Sequence, residues 1–218
     1  MKFHNVLDEV LSAQSHIMVF RALQDSAQGF TGREIARLTG LSHRSCLQAL
    51  SKLEDLSIVQ RQRGGRDHIF RLNRKNIIVS EGVLPFLALE RKILDRLLSF
   101  IKRRLGKYAK SIILFGSVAR GEETIESDLD VCVIAADKPS LNRVEEKLHD
   151  LQPEVRKVFG VNLAPIFYKV TDFKKYYYGN KPPVDEITKD GILIAGLSIR
   201  KLLNGKKNDT EKSRSRKK

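Results

Sequence analysis

The sequence predicts an α+β protein in two parts. A helical N-terminal domain ends in a β-hairpin, and a C-terminal domain holds a mixed sheet flanked by helices. Residues 15–56 carry apolar positions at helical spacing, punctuated by capping residues and glycines, and residues 58–72 then alternate in the strand period around Gly64-Gly65. Short apolar runs at 112–115 and 131–134 flank a polar loop that closes on Asp128-Leu129-Asp130. Charge divides the chain in the same way. The net +14 lies in the N-terminal part and the C-terminal end: residues 1–75 hold 12 basic and 7 acidic side chains, whereas residues 106–200 hold 14 of each.

At 218 residues and 41% hydrophobic content the chain can bury two small cores. Its basic surplus points to an acidic partner, with nucleic acid the leading candidate. The two cysteines, Cys46 and Cys132, each sit in an apolar segment, which excludes a disulfide framework and fits a reducing compartment. The N-terminus Met1-Lys2-Phe3-His4-Asn5 lacks a signal-peptide run, and no stretch approaches 18 uncharged apolar residues. The expectation is a soluble, cytoplasmic protein with no membrane partner. The histidines at 4, 16, 43, 68 and 149 stand at no zinc-ligand spacing, which excludes a metal finger.

In residues 1–75 a first helix spans Ser15 to Leu23 on the stripe Ile17, Val19, Phe20 and Leu23. Thr31 and Glu34 form a capping box that opens a second helix, expected to bury Ile35 and Leu38 and to stop at Gly40. Ser42 caps a third, expected to bury Leu47, Leu50, Leu53 and Leu56 and to expose His43, Arg44, Ser45, Gln48 and Lys52. The tight Thr39-Gly40-Leu41 turn gives this pair helix-turn-helix spacing. Strands at 58–63 and 68–72 follow, joined at Gly64-Gly65-Arg66-Asp67, where glycines supply the positive φ of a hairpin turn.

The segment Thr31 to Leu72 resembles the winged-helix family of DNA-binding domains, with three helices and a basic β-hairpin as the wing. The resemblance implies a DNA partner. Arg44, Ser45, Gln48 and Lys52 would lie on the recognition helix, and Arg61, Arg63 and Arg66 would grip phosphates or a narrow minor groove. Winged helices also serve as protein-interaction modules, and that alternative stays open.

Residues 76–105 form a connection. Ser80-Glu81-Gly82 reads as a break, and Pro85 opens a helix to about Leu105 striped by Phe86, Leu89, Ile93, Leu97, Phe100 and Leu105. Such a stripe serves an interdomain core or the contact of a homodimer.

Residues 106–200 carry the chemistry. The strand Ile112 to Phe115 runs into Gly116-Ser117, and ten residues later Asp128 and Asp130 stand two apart on an otherwise apolar strand. The strand period places both carboxylates on one side, about 7 Å apart, a repulsive arrangement without a cation to join them. Two hard carboxylate ligands select Mg²⁺ or Mn²⁺. Gly116 permits close backbone approach to a ligand, and Ser117, opening a short helix through Arg120, offers a hydroxyl and backbone donors to phosphate.

Gly116-Ser117, Arg120-Gly121 and Asp128-Leu129-Asp130 at this spacing resemble the minimal nucleotidyltransferases of the DNA polymerase beta superfamily. The resemblance implies that a nucleoside triphosphate binds on Gly116 and Ser117 with Arg120 beside its leaving phosphates. Asp128 and Asp130 would hold the metal while an acceptor hydroxyl attacks the α-phosphorus. The family's third carboxylate belongs on the strand Val161 to Phe167, where Asn162 stands; an amide offers a metal an oxygen but is no base. Glu154 and Asp150 on the preceding helix are the alternatives, each also readable as a plain surface charge. Two functions follow: an Mg²⁺-dependent nucleotidyltransferase carrying a DNA-binding winged helix, or a transcriptional regulator whose degenerate transferase domain binds nucleotide or a protein. Pairing with a small helical protein of the HEPN type is a further implication of the resemblance.

Two features complete the chain. Tyr176-Tyr177-Tyr178 reads as packing at a sheet edge or, less simply, as a self-modification acceptor, and Gly191 to Gly196 reads as a closing strand or helix. Residues 201–218, rich in Lys, Arg and Ser, are expected to form a basic disordered tail.

Overall fold

The computed structural model describes residues 4–64 and 67–204. Two compact units divide between Ile93 and Leu94, within one helix that lies in the segment 76–105.

In the first unit the helices are α1 (Val6–Val10), α2 (Gln14–Leu23), α3 (Gly32–Thr39) and α4 (His43–Asp55), with strands β1 (Phe30–Thr31), β2 (Val59–Gly64) and β3 (Asp67–Leu72). The strands form an antiparallel sheet in the order β1-β3-β2. Its hairpin register runs from Val59 opposite Leu72 to Gly64 opposite Asp67. The capping signals act as read. Thr31 Oγ1 accepts from the Glu34 N–H at 3.3 Å while the Glu34 carboxylate accepts the Thr31 N–H at 2.8 Å, and Ser42 Oγ accepts from the Ser45 N–H at 3.1 Å.

The buried faces differ from expectation in three helices. In α2 His16 is buried and Ile17 only half-buried, and the His16 Nδ1 lies 3.0 Å from the Val10 carbonyl, which satisfies its polar edge. In α3 Ala36 takes the core position, and Leu38 is 56% exposed. In α4 the core face is Cys46, Ala49, Leu50 and Leu53, with Leu47 exposed and Leu56 half-buried. The expected break at Ser80-Glu81-Gly82 is also absent. A π-helical turn, Ile78–Val83, feeds directly into α5 (Leu84–Leu105), where Val79, Val83 and Leu87 join the first core. Phe86, Leu89 and Ile93, expected in the apolar stripe, are exposed.

The second unit contains β4 (Ser111–Leu114), α6 (Gly116–Arg120), β5 (Leu129–Ala135), α7 (Lys138–Phe159), β6 (Leu163–Lys169), α8 (Val170–Tyr178), α9 (Val184–Asp190), β7 (Ile192–Gly196) and α10 (Ile199–Asn204). Its sheet has the order β6-β5-β4-β7, with β5 and β6 parallel and the other pairs antiparallel. The long α7 supplies the crossover that a parallel pair requires. Five buried positions at spacings of three and four, Leu141, Val144, Leu148, Leu151 and Val155, fix its packing face.

Side chains alternate along β5. Leu129, Val131 and Val133 enter a core shared with α7 and the C-terminal part of α5, while Cys132 and Ile134 enter the opposite core with Phe173, Val184 and Ile187. The segment from Gly191 is therefore a strand. The tyrosine triplet lies on α8, with the Tyr176 ring tilted at 57° against Tyr168 of β6. The first four residues assigned to the tail, 201–204, belong to α10, which buries Leu202; the remainder lies outside the described residues.

Candidate active site

Three chain segments meet at one end of the central strands. β4 leads into Phe115, whose N–H donates to the Asp130 carbonyl at 3.0 Å, and the chain then turns at Gly116 with φ +75°. This left-handed conformation is one that glycine adopts freely. The Asp130 carboxylate occupies the space above it, so a Cβ at position 116 would fall 2.0 Å from Asp130 Oδ2. On the other flank the Leu129 N–H donates to the Asn162 carbonyl at 2.8 Å, and the Asn162 Nδ2 donates to Asp128 Oδ1 at 3.2 Å. The glycine turn, both aspartates and Asn162 are thereby brought together by backbone pairing of β4, β5 and β6.

Burial pushes the Asp130 carboxyl above the usual range, the Asp128 charge adds to the shift, Arg120 opposes it, and Glu186 raises it again. Asp130 is half-buried and Asp128 exposed. The Arg120 guanidinium is held charged first by a 2.7 Å contact of its Nε with Glu122 Oε2, then by the charges of Glu122, Glu186 and Asp190. Glu186 and Asp190 stand one turn apart on α9, which packs against α6. These two carboxylates were not singled out from the sequence. Their i, i+4 spacing is an ordinary surface signature, and only the packing of α9 on α6 gives it meaning.

Among the described residues no group of three or more His, Cys, Asp or Glu side chains converges as a metal site. The oxygen donors present are the two carboxylates and the Asn162 amide, a hard set that suits a divalent cation sharing its shell with phosphate and water. The alternatives on α7 are otherwise engaged. Glu154 accepts from Arg104 at 2.7 Å and Asp150 from Lys147 at 3.2 Å, so both behave as surface charges.

In the first unit Arg44, Ser45, Gln48 and Lys52 are exposed along α4, with the Ser45 hydroxyl tied to Ser42 Oγ at 2.8 Å. Arg63 is exposed on the hairpin, Arg61 pairs with Glu54 at 3.0 Å, and Arg66 lies outside the described residues. No described helix is long and apolar enough to cross a membrane.

Comparison with known proteins gives the class to which this domain belongs. The nucleotidyltransferase domain family matches residues 94–194. Two proteins of Methanocaldococcus jannaschii, each named "Putative protein adenylyltransferase", are similar to part of this chain. One is 40% identical over 81 residues, 37% of this chain and 55% of that protein. The other is 35% identical over 83 residues, 38% of this chain and 76% of that protein. The chain belongs to the nucleotidyltransferase family, and it spans little more than half the length of the first of these relatives. A solved structure titled "Crystal structure of the toxin-antitoxin with AMP-PNP" aligns with 57% of this chain and 89% of that one, at 13% identity and a TM-score of 0.31.

Proposed function

We propose that the second unit transfers a nucleoside monophosphate, AMP in the first instance, from a nucleoside triphosphate to a hydroxyl of an acceptor. The observation that carries this is the seating of the Asp130 carboxylate on the Gly116 turn beside Asp128. It joins the turn that opens α6 directly to one of two neighbouring carboxylates. The choice of AMP and of a protein acceptor is supported by the names of the two archaeal relatives.

Gly116 and Ser117 bind the triphosphate, and Arg120 exchanges its contact with Glu122 for the leaving phosphates. Asp128 and Asp130, with the Asn162 amide oxygen, would hold Mg²⁺ or Mn²⁺, whose chemistry there would be to offset negative charge on the phosphate oxygens. Asn162 orients Asp128 through the 3.2 Å hydrogen bond. The acceptor oxygen forms its bond to the α-phosphorus as the bond to the bridging oxygen breaks, and pyrophosphate leaves with that electron pair. Asp128, on the flank away from Gly116, receives the hydroxyl proton.

The first unit we read as a winged helix that addresses the enzyme to duplex DNA. Support comes from the exposed Arg44, Gln48 and Lys52 on a doubly capped helix pair and from the basic hairpin behind it. Incubation of the protein with Mg²⁺, a cell extract and ATP labelled at either the α or the γ phosphorus tests the transferase. Label enters a macromolecule from α-labelled ATP alone; incorporation from the γ position would mean a kinase instead.

A further inference from the structure

A cleft of about 350 Å³ opens beside the candidate active site, between α7 and the start of β6, lined by His149, Gln152, Pro153, Arg156, Asn162 and Leu163. We propose that this cleft is the acceptor subsite and that it holds an acidic peptide segment flanking the hydroxyl to be modified. The assignment rests on the transferase activity proposed above and adds its substrate class.

The sheet order fixes which side the acceptor takes. Gly116 and Ser117 follow β4, Asp128 and Asp130 lie at the start of β5, and Asn162 precedes β6, so the triphosphate turn and Asn162 flank the aspartates on opposite sides. In-line displacement requires the nucleophile to arrive opposite the leaving group. With pyrophosphate held on the β4 side, the acceptor arrives from the β6 side, where the cleft lies and where Asn162 both lines it and touches Asp128.

The lining states the chemistry. His149, Gln152, Pro153 and Arg156 fall at i, i+3, i+4 and i+7 of α7, which puts them on one helix face. Arg156 is exposed and makes no ion pair or side-chain hydrogen bond among the described residues, in contrast to Arg104 and Lys147 on the neighbouring surface, which are paired with Glu154 and Asp150. An unpaired guanidinium with an imidazole beside it suits a carboxylate, while the Gln152 amide donates to the Leu163 carbonyl at 3.4 Å and ties α7 to β6. Pro153 carries no N–H, so the His149 carbonyl loses its usual helical donor and is left to accept from the N–H of another chain. Pro153 and Leu163 give apolar walls. The volume matches one or two side chains, and the charge balance of residues 106–200 provides no basic track for a nucleic acid backbone.

The test is a fluorescence-anisotropy titration of the full chain with a labelled peptide of glutamates around one serine, run beside a lysine-flanked peptide, inorganic phosphate and a single-stranded oligonucleotide as competitors. Arg156→Ala weakens binding of the acidic peptide about tenfold, the loss of one charge-assisted pair, and Arg156→Lys weakens it less. Arg143→Ala, which removes the same charge from α7 outside the cleft, changes it less than about twofold, and ATP affinity is unchanged in Arg156→Ala. Equal losses in Arg143→Ala and Arg156→Ala, displacement by phosphate or oligonucleotide alone, or weakened ATP binding in Arg156→Ala would each overturn the assignment. The readout is binding, so a failure of the transferase activity leaves it interpretable, and a failure of peptide binding leaves the transferase activity standing.

Discussion

The Asp130 carboxylate lies where a side chain at Gly116 would have to be, with Oδ2 2.0 Å from the position of a Cβ. This contact couples the two halves of a motif that are 14 positions apart in the chain, and it makes the site sensitive to a single methyl group. Gly116→Ala displaces Asp130 and forces a non-glycine residue to φ +75°, costing about 1–2 kcal/mol of stability and about 10²-fold in transfer rate through misplacement of the carboxylate. Single-turnover kinetics alongside thermal unfolding separates the two effects, and a variant that loses stability but keeps its rate would show that the contact is only structural.

Asn162→Asp tests the third position. The substitution replaces the hydrogen bond to Asp128 Oδ1 by a like charge, so melting in chelator falls, by on the order of 1 kcal/mol at this exposed site. Added Mg²⁺ then raises the melting temperature more in the variant than in the natural chain, because three carboxylates hold the cation more tightly than two. An equal Mg²⁺ response in both would remove residue 162 from the metal's surroundings.

Cys132 is fully buried in β5, and burial pushes its thiol up to about 12. It therefore resists alkylation at pH 8 in the folded protein and reacts on unfolding in denaturant. The linkage has a definite sign: the unfolded thiol ionises near its ordinary value and the folded one does not. Stability from this group is complete below about pH 9 and declines towards pH 12, by up to about 1.4 kcal/mol per pH unit. Denaturant titrations across that range read the slope.

For the first unit, Gln48→Ala relaxes sequence preference in a DNA gel-shift titration, since a base contact contributes about 1–3 kcal/mol of discrimination. Arg63→Ala weakens all duplexes alike and lowers the salt slope by about 0.9. Arg61 already pairs with Glu54 at 3.0 Å, so Arg61→Ala has the smaller effect of the two hairpin substitutions. Deleting residues 205–218 is the control, and affinity that vanishes with that segment would make the first unit a protein-binding module.

Local signals were legible in the sequence. The capping box at Thr31 and Glu34, the Ser42 cap, the hairpin strands and the strand-loop-strand around Asp128 and Asp130 depend on neighbours within a few residues, and each is present. Faces were less legible. Leu47, Leu50, Leu53 and Leu56 repeat every three residues, and on a 3.6-residue helix such a series winds around the axis, so its ends leave the core and the smaller Cys46 and Ala49 fill the seam. Glycine at 82 suggested a break because its cost within a helix is real, yet the packing of Val79, Val83 and Leu87 carries the helical turns through it. The paired aspartates could be placed from strand alternation and Asn162 from the family resemblance, whereas Glu186 and the α7 cleft could not. Both depend on how helices pack on the sheet, which no spacing along the chain encodes.

The most direct test of the whole account is transfer of label from α-labelled ATP by the natural chain and by a variant carrying Asp128→Ala and Asp130→Ala, each shown to be folded by circular dichroism. The account predicts incorporation by the natural chain and none above background by the variant. Incorporation that survives the double substitution would contradict it.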